Sequence, residues 1–260
     1  MKLKYFLGPG VVLIVLLVMF TIGAEENPED NPKIYNDLPD EEEFEDFKAT
    51  LERQAKEYPD TIFLRGDTGE DRVALTFDDG PDKINTPRIL DILKENDIKA
   101  TFFVIGQAVE EFPDVSRRII EEGHQIANHS WSHPNYSELD NEKVLNEELL
   151  PTSEKIAEVT GIYPQVMRPP FGAINDETIE FLENKDWQIV NWSLDSVDWH
   201  YAVDRPEEIV STIEKHHHPG AIILLHNGII NQITVEALPD IIEVLQSEGY
   251  DFTTVEEILS

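Results

Sequence analysis

Val73-Ala74-Leu75-Thr76-Phe77, followed by Asp78-Asp79-Gly80-Pro81, is an uncharged run that ends in two adjacent carboxylates and a Gly-Pro pair. The run reads as a buried β-strand and the Gly-Pro as the turn that stops it. In α/β folds the carboxyl ends of strands are where sites form, so paired acids there are candidates for chemistry. Fifty positions on, His129-Ser130-Trp131-Ser132-His133 sets two imidazoles four residues apart. Singly, an Asp-Asp-Gly is most often a turn, and a His-x-x-x-His pair is often an accident of a helix surface. Jointly they supply a carboxylate and two imidazoles for one divalent ion and leave the second carboxylate as a base. Three protein ligands keep a coordination position open to water, which separates catalytic metal sites from structural ones. The two segments point to a metal-dependent hydrolase.

Outward from this stretch the chain alternates. Strand-like runs at 72–77, 100–105, 124–128, 165–168, 187–192 and 221–225 are separated by amphipathic helical patterns at 113–122, 140–160, 175–184, 206–217 and 234–247. Another helix opens with Thr86 as N-cap and Pro87 at its first position. Repeated βα units imply a largely parallel sheet, open or closed into a barrel smaller than the eight-fold one. Before them, Phe44 to Tyr58 reads as a short helix and Ile62-Phe63-Leu64 as an edge strand.

The formal charge of −33 is carried along the chain: residues 25–60 hold 14 acids and 4 bases, residues 61–260 hold 39 and 14. Phosphate backbones are gripped by Lys and Arg, so nucleic acid is excluded as a partner. Such a surface keeps the protein soluble and repels itself, and high external salt is the setting that screens the repulsion. The absence of cysteine removes disulfides, thiolate metal sites and thiol nucleophiles, leaving His, Asp and Glu as ligands.

Lys2 and Lys4 precede an uncharged run from Tyr5 to Ala24, and acids come after it. About 20 apolar residues suffice to span a bilayer, and the charge order places the rest of the chain outside. Residues 1–24 are thus an export signal or, in the favoured reading, an uncleaved membrane anchor; cleavage after Ala24 would make the protein secreted, but Ile22 suits the cleavage site poorly. Residues 25–66 form an acidic stalk or linker, disordered to about residue 45, and residues 67–260 the catalytic domain.

Three later segments each follow or end an expected strand: Arg168-Pro169-Pro170-Phe171-Gly172, Asp195-Ser196-Val197-Asp198-Trp199 and Leu224-Leu225-His226. With Thr76 to Gly80 and His129 to His133, these five segments in this order resemble the NodB-homology polysaccharide deacetylases, carbohydrate esterase family 4. The resemblance runs over about residues 70–258 and implies a distorted, incomplete (β/α) barrel of about six to eight parallel strands. It implies Asp79, His129 and His133 as ligands of one divalent metal, with Asp78 as general base. By ligand type the metal is zinc most commonly, with cobalt, nickel or manganese admitted. His226 becomes the general acid, Arg168 pairs with Asp78, and Asp198 orients and charge-stabilises His226. Trp199 and Leu224 wall the slot for the acetyl methyl, and the backbone N–H of Phe171 helps hold the oxyanion.

Taken one at a time, Arg168, Asp198-Trp199 and His226 each have bland readings as surface, core or strand-end residues; together they would need five coincidences in one order. His216-His217-His218 ends an expected helix before a Pro-Gly turn and reads as structural. The sequons at Asn128, Asn135 and Asn191 read as chance, since a glycan on Asn128 would crowd the metal. Phe171 stands where many members of the family have Tyr, and Asn227 where Asp is frequent.

The expected activity is N-deacetylation of an extracytoplasmic amino-sugar polymer, with peptidoglycan N-acetylglucosamine as the first substrate and chitin oligomers or another exopolysaccharide as the alternative. A non-catalytic glycan-binding module is disfavoured because no motif position has lost its chemical group. A small-molecule metallo-amidase is disfavoured by the membrane tether.

Overall fold

A chain that leaves strand β6 (Gln188–Val190) and enters strand β7 (Leu194–Asp195) after three residues has closed most of a barrel, because six strand spacings of one sheet separate the two. The order is β1-β6-β5-β4-β3-β2-β8-β7, every pairing along it parallel. Laid flat at about 4.8 Å per strand, β6 and β7 would stand about 29 Å apart. Four peptide steps reach at most about 14 Å, so the sheet curls until its ends approach. This is the distorted, open (β/α) barrel expected, with eight parallel strands.

The computed structural model describes residues 41–200, 205–228 and 231–260. In chain order the elements are α1 (Glu41–Glu57), β1 (Ile62–Phe63), β2 (Arg72–Gly80), α2 (Asn85–Glu95), β3 (Thr101–Val104), α3 (Gly106–Glu111), α4 (Pro113–Glu121) and β4 (Gln125–Asn128). Next come α5 (Asn141–Lys143), a π-helical turn (Val144–Leu149), α6 (Leu150–Thr160), β5 (Val166–Met167), α7 (Asp176–Glu183), β6 and β7. The chain closes with α8 (Pro206–His216), β8 (Ile222–His226), α9 (Gln232–Ser247), β9 (Asp251–Phe252), which pairs with the start of β2, and α10 (Val255–Ile258).

Period-two alternation sorts the side chains. On β2 and β8, Val73, Leu75, Phe77, Ile223 and Leu225 face outward and meet Ile89, Leu90 and Leu93 of α2 and Leu238, Ile241, Ile242 and Leu245 of α9. The helical spacing of those residues is what makes α2 and α9 cover the sheet. Ala74, Phe103, Ala127, Val190 and Ile222 face inward and fill the lower barrel. A third cluster joins Leu51 of α1, Ile62, Met167, Ile189 and Ile179.

The structure departs from the sequence reading in several places. Glu45–Ser260 forms one compact unit with Leu51, Ile62 and Leu64 buried, so the boundary expected at residues 66–67 falls inside it. The expected cap Thr86 lies within the first turn of α2; the Asp82 carboxylate accepts from the backbone N–H groups of Ile84, Asn85 and Thr86 instead. The helix expected over 140–160 is interrupted by the π-turn, because Pro151 has no N–H to give and its ring would clash with the carbonyl four residues back. The anchor at 1–24 and the stalk at 25–40 lie outside the described residues. Among the described residues, no helix is long and apolar enough to cross a membrane.

Candidate active site

The alternation that fills the lower barrel continues upward into polar residues. Ladder partners Ala74 and Ile222 are followed two residues later by Thr76 and Leu224, and then by Asp78 and His226. Leu224 is also paired with Asp195 on β7, so the layer beneath Asp78 and His226 is Thr76, Leu224 and Asp195. His129 and Arg168 leave the ends of β4 and β5 at the same rim.

A strict pleat would send Asp79 to the outer face. It does not, because the pairing of β2 with β3 shifts register between Phe77 and Gly80 and Asp79 takes a left-handed φ of 74°. Its Oδ1 comes to 3.4 Å from His129 Nε2 and 3.2 Å from His133 Nε2. His129 Nδ1 lies 2.9 Å from the Arg168 carbonyl, which only accepts, so Nδ1 carries the proton and Nε2 presents a lone pair. Asp79 Oδ1 is buried without a hydrogen-bond partner.

Lone pairs converging in a dry place repel unless a cation sits among them. Donors about 2.0–2.2 Å from a four-coordinate ion stand roughly 3.3–3.6 Å apart, close to the separations found here. Asp79, His129 and His133 therefore fit a divalent metal, and among the described residues they are the cluster that does. His216-His217-His218 is not part of one; His217 Nδ1 pairs with the Tyr250 hydroxyl at 3.1 Å.

Two charged pairs flank the ligands. Arg168, fully buried, donates to Asp78 Oδ1 at 2.7 Å and Thr76 Oγ1 at 2.8 Å, and to the carbonyls of Val190 and Asn191. Its face rests on the Phe103 ring, 4.1 Å from the centroid. Burial lowers the pKa of the guanidinium, opposed by Asp78. Asp78 Oδ2 stays clear of Arg168, 3.9 Å from His129 Nε2. On the other side His226 Nδ1 meets Asp198 Oδ1 at 2.7 Å, while Asp198 Oδ2 accepts from the His226 backbone N–H and from Thr234 Oγ1. Burial pushes His226 down, but Asp198, with Asp79 and Asp78 behind it, raises it to about 10.

The aromatic residues named from sequence line the rim. Phe171 is 61% exposed, left-handed at φ 61°, and stands edge-on to the His133 ring at 4.7 Å. Trp199, 40% exposed, is fixed by its indole N–H to the Asp195 carboxylate. Burial raises the Asp195 pKa. Asn227 packs its amide over Gly80 and donates to Thr86 Oγ1 at 3.0 Å.

The sequence reading missed the residues that shape the loops. Glu148, on the π-turn, accepts from the backbone N–H groups of Trp131 and Ser132 and from Ser132 Oγ, each at 2.8 Å. Asn128 Oδ1 accepts from Ser130 N–H at 2.8 Å while its amide holds Leu149 O and Ser153 Oγ. Asn128 and Asn191 are fully buried, as a chance sequon requires. Asp79, Ser130, His133, Phe171 and Val197 are five of the seven non-glycine residues at positive φ among those described, so backbone strain gathers at this rim.

Comparison with known proteins agrees with this geometry. The family model for polysaccharide deacetylase matches residues 65–190. The chain is 40% identical over 188 residues to the peptidoglycan-N-acetylglucosamine deacetylase PgdA of Listeria monocytogenes, covering 72% of this chain and 38% of that protein's length. It is 39% identical over 190 residues to a peptidoglycan-N-acetylglucosamine deacetylase of Bacillus cereus, covering 72% of this chain and 87% of the relative. The crystal structure of the Bc1960 peptidoglycan N-acetylglucosamine deacetylase superposes with a TM-score of 0.73 at 36% identity, covering 76% of this chain and 92% of that one. Ligand cluster, flanking pairs and barrel order thus occur in a chain that belongs to the polysaccharide deacetylase family, carbohydrate esterase family 4.

Proposed function

We propose that this chain hydrolyses N-acetyl groups on an amino-sugar polymer outside the cytoplasm, and that the polymer is peptidoglycan, with N-acetylglucosamine as the reacting sugar. The observation that carries the reading is the convergence of the Asp79-His129-His133 cluster with an Asp78-Arg168 pair on one side and an Asp198-His226 pair on the other. The relatives named above are peptidoglycan deacetylases. Lys2 and Lys4 before the uncharged run to Ala24 support an extracytoplasmic, membrane-anchored location.

Asp79, His129 and His133 would hold the metal, zinc in this reading, which would supply a Lewis acid for the acetyl group and for water. Arg168 pins Asp78 through Oδ1, leaving Oδ2 to take a proton from the attacking water. The water oxygen adds to the acetyl carbon. The backbone N–H of Phe171 helps to stabilise the oxyanion so formed. With Nδ1 committed to Asp198, His226 delivers its Nε2 proton to the amide nitrogen as the C–N bond breaks, releasing acetate and a free amine. Leu224, beneath the reacting centre, and Trp199 at its edge bound the space for the acetyl methyl.

Acetate release by the purified chain from acetylated peptidoglycan and from chitin oligomers, with and without a chelator, tests the reading. Faster release from peptidoglycan, abolished by the chelator and restored by zinc, is expected. Preference for chitin oligomers would transfer the substrate assignment, and release unaffected by thorough chelation would overturn the mechanism.

A further inference from the structure

The family match begins at residue 65, yet α1, which ends before it, is fastened to the loop that faces substrate. Leu51 is buried in the core beside Ile174 and Ile179, with Phe47, Ala55 and Tyr58 packed against the same cluster at helical spacing. Packing alone would need only apolar residues. Instead Gln54, 2% exposed, spends its amide on the Ile174 carbonyl at 2.9 Å and on Asp176 Oδ1 at 3.0 Å. Arg53 adds a two-pronged bond to the Asp176 carboxylate at 2.9 and 3.0 Å. A buried amide is costly to place unless its partners need holding.

The partners lie just beyond Phe171. Phe171 and Gly172 are left-handed in succession, at φ 61° and 64°, and a Cβ on Gly172 would meet Trp192 at 2.7 Å and Phe47 Cζ at 2.9 Å. From the barrel side, Asn191 Nδ2 reaches the Gly172 carbonyl at 3.4 Å. A non-glycine residue at positive φ is strained and persists only where its surroundings over-determine it. The inner half of that constraint is Asn191 and Trp192; the outer half is Phe47 and Gln54.

We propose that α1 is a positioning element of the active site: Phe47 and Gln54 hold the Gly172–Asp176 loop in the shape that presents Phe171 to the polymer beside His133. The kinetic part of this rests on the deacetylase reading; the structural part does not.

The test uses the full chain carrying Phe47→Ala or Gln54→Leu, with Phe47→Leu as the conservative control. Amide hydrogen exchange across residues 171–176, zinc affinity, kcat and KM are measured well below each variant's melting temperature. Misplacing a substrate-positioning group by about 1 Å can cost up to about 100-fold. Both disruptive variants are expected to lose about tenfold in kcat/KM, with kcat falling because the displaced loop carries the Phe171 N–H that holds the oxyanion, and to exchange the loop amides faster, with zinc affinity kept and Phe47→Leu close to the parent. Variants that melt earlier yet keep parental loop exchange and parental kcat/KM would overturn the proposal and leave α1 a structural helix. Were the parent itself to release no acetate, the deacetylase reading would fall, and loop exchange alone would still decide the role of α1.

Discussion

Neighbouring side chains on a strand point to opposite faces, so Asp78 and Asp79 reach one site only because the pleat is broken between them. The Asp-Asp pair was legible in the sequence as chemistry, whereas the bulge that makes it usable was not, since no residue type announces it. The resulting division of labour is testable. His129→Ala leaves two ligands, and metal titration should show metal and activity lost together; stoichiometric metal with full turnover would refute the assignment. Asp78→Asn should keep the metal and lower kcat by about 10² to 10⁴, the usual worth of a general base. His226 has its own signature in pH. Asp198 raises the imidazole above its ordinary value of about 6.5, so the protonated acid persists to higher pH and the alkaline limb of kcat/KM lies above that value. Asp198→Asn removes the main raising influence and should move that limb to lower pH, and an unmoved limb would show that another group donates the proton. Thr234, which donates to the same carboxylate, carried no signal in sequence because its motif is only spatial.

At the level of elements, periodicity revealed the strands β2 to β6 and β8, and α4, α7, α8 and α9 nearly to their ends. What it missed was too short to show a period: α3, with six residues, and β7 and β9, with two each. The π-turn was hidden for another reason, since Val144, Leu145 and Leu149 stay buried through it and the apolar pattern continues. Its effect is to swing Glu148 toward the loop between the two ligand histidines, where one carboxylate collects three donors. Glu148→Leu takes the acceptor away from all three donors at similar size. Outer partners of metal ligands are commonly worth 10–100-fold in affinity, so zinc titration should show a loss of about that size in a chain that remains folded. Unchanged affinity would make Glu148 a packing residue.

For the molecule as a whole, the acidic surface should set its response to salt. Raising NaCl from 0.1 M to 1 M shortens the screening length from about 10 Å to about 3 Å, so like charges on the 39 acids of residues 61–260 cease to repel at surface distances. Melting temperature and turnover should both rise over that range, and optima in dilute buffer would count against adaptation to salt. The strain at the rim has a different consequence. Five left-handed non-glycine residues at about 1–3 kcal/mol each are a sizeable share of the 5–15 kcal/mol, roughly, by which a domain is stable. Glycine at Ser130 or Phe171 would keep the same backbone while shedding that strain, so the cheapest gains in sturdiness lie around the site and not in the core.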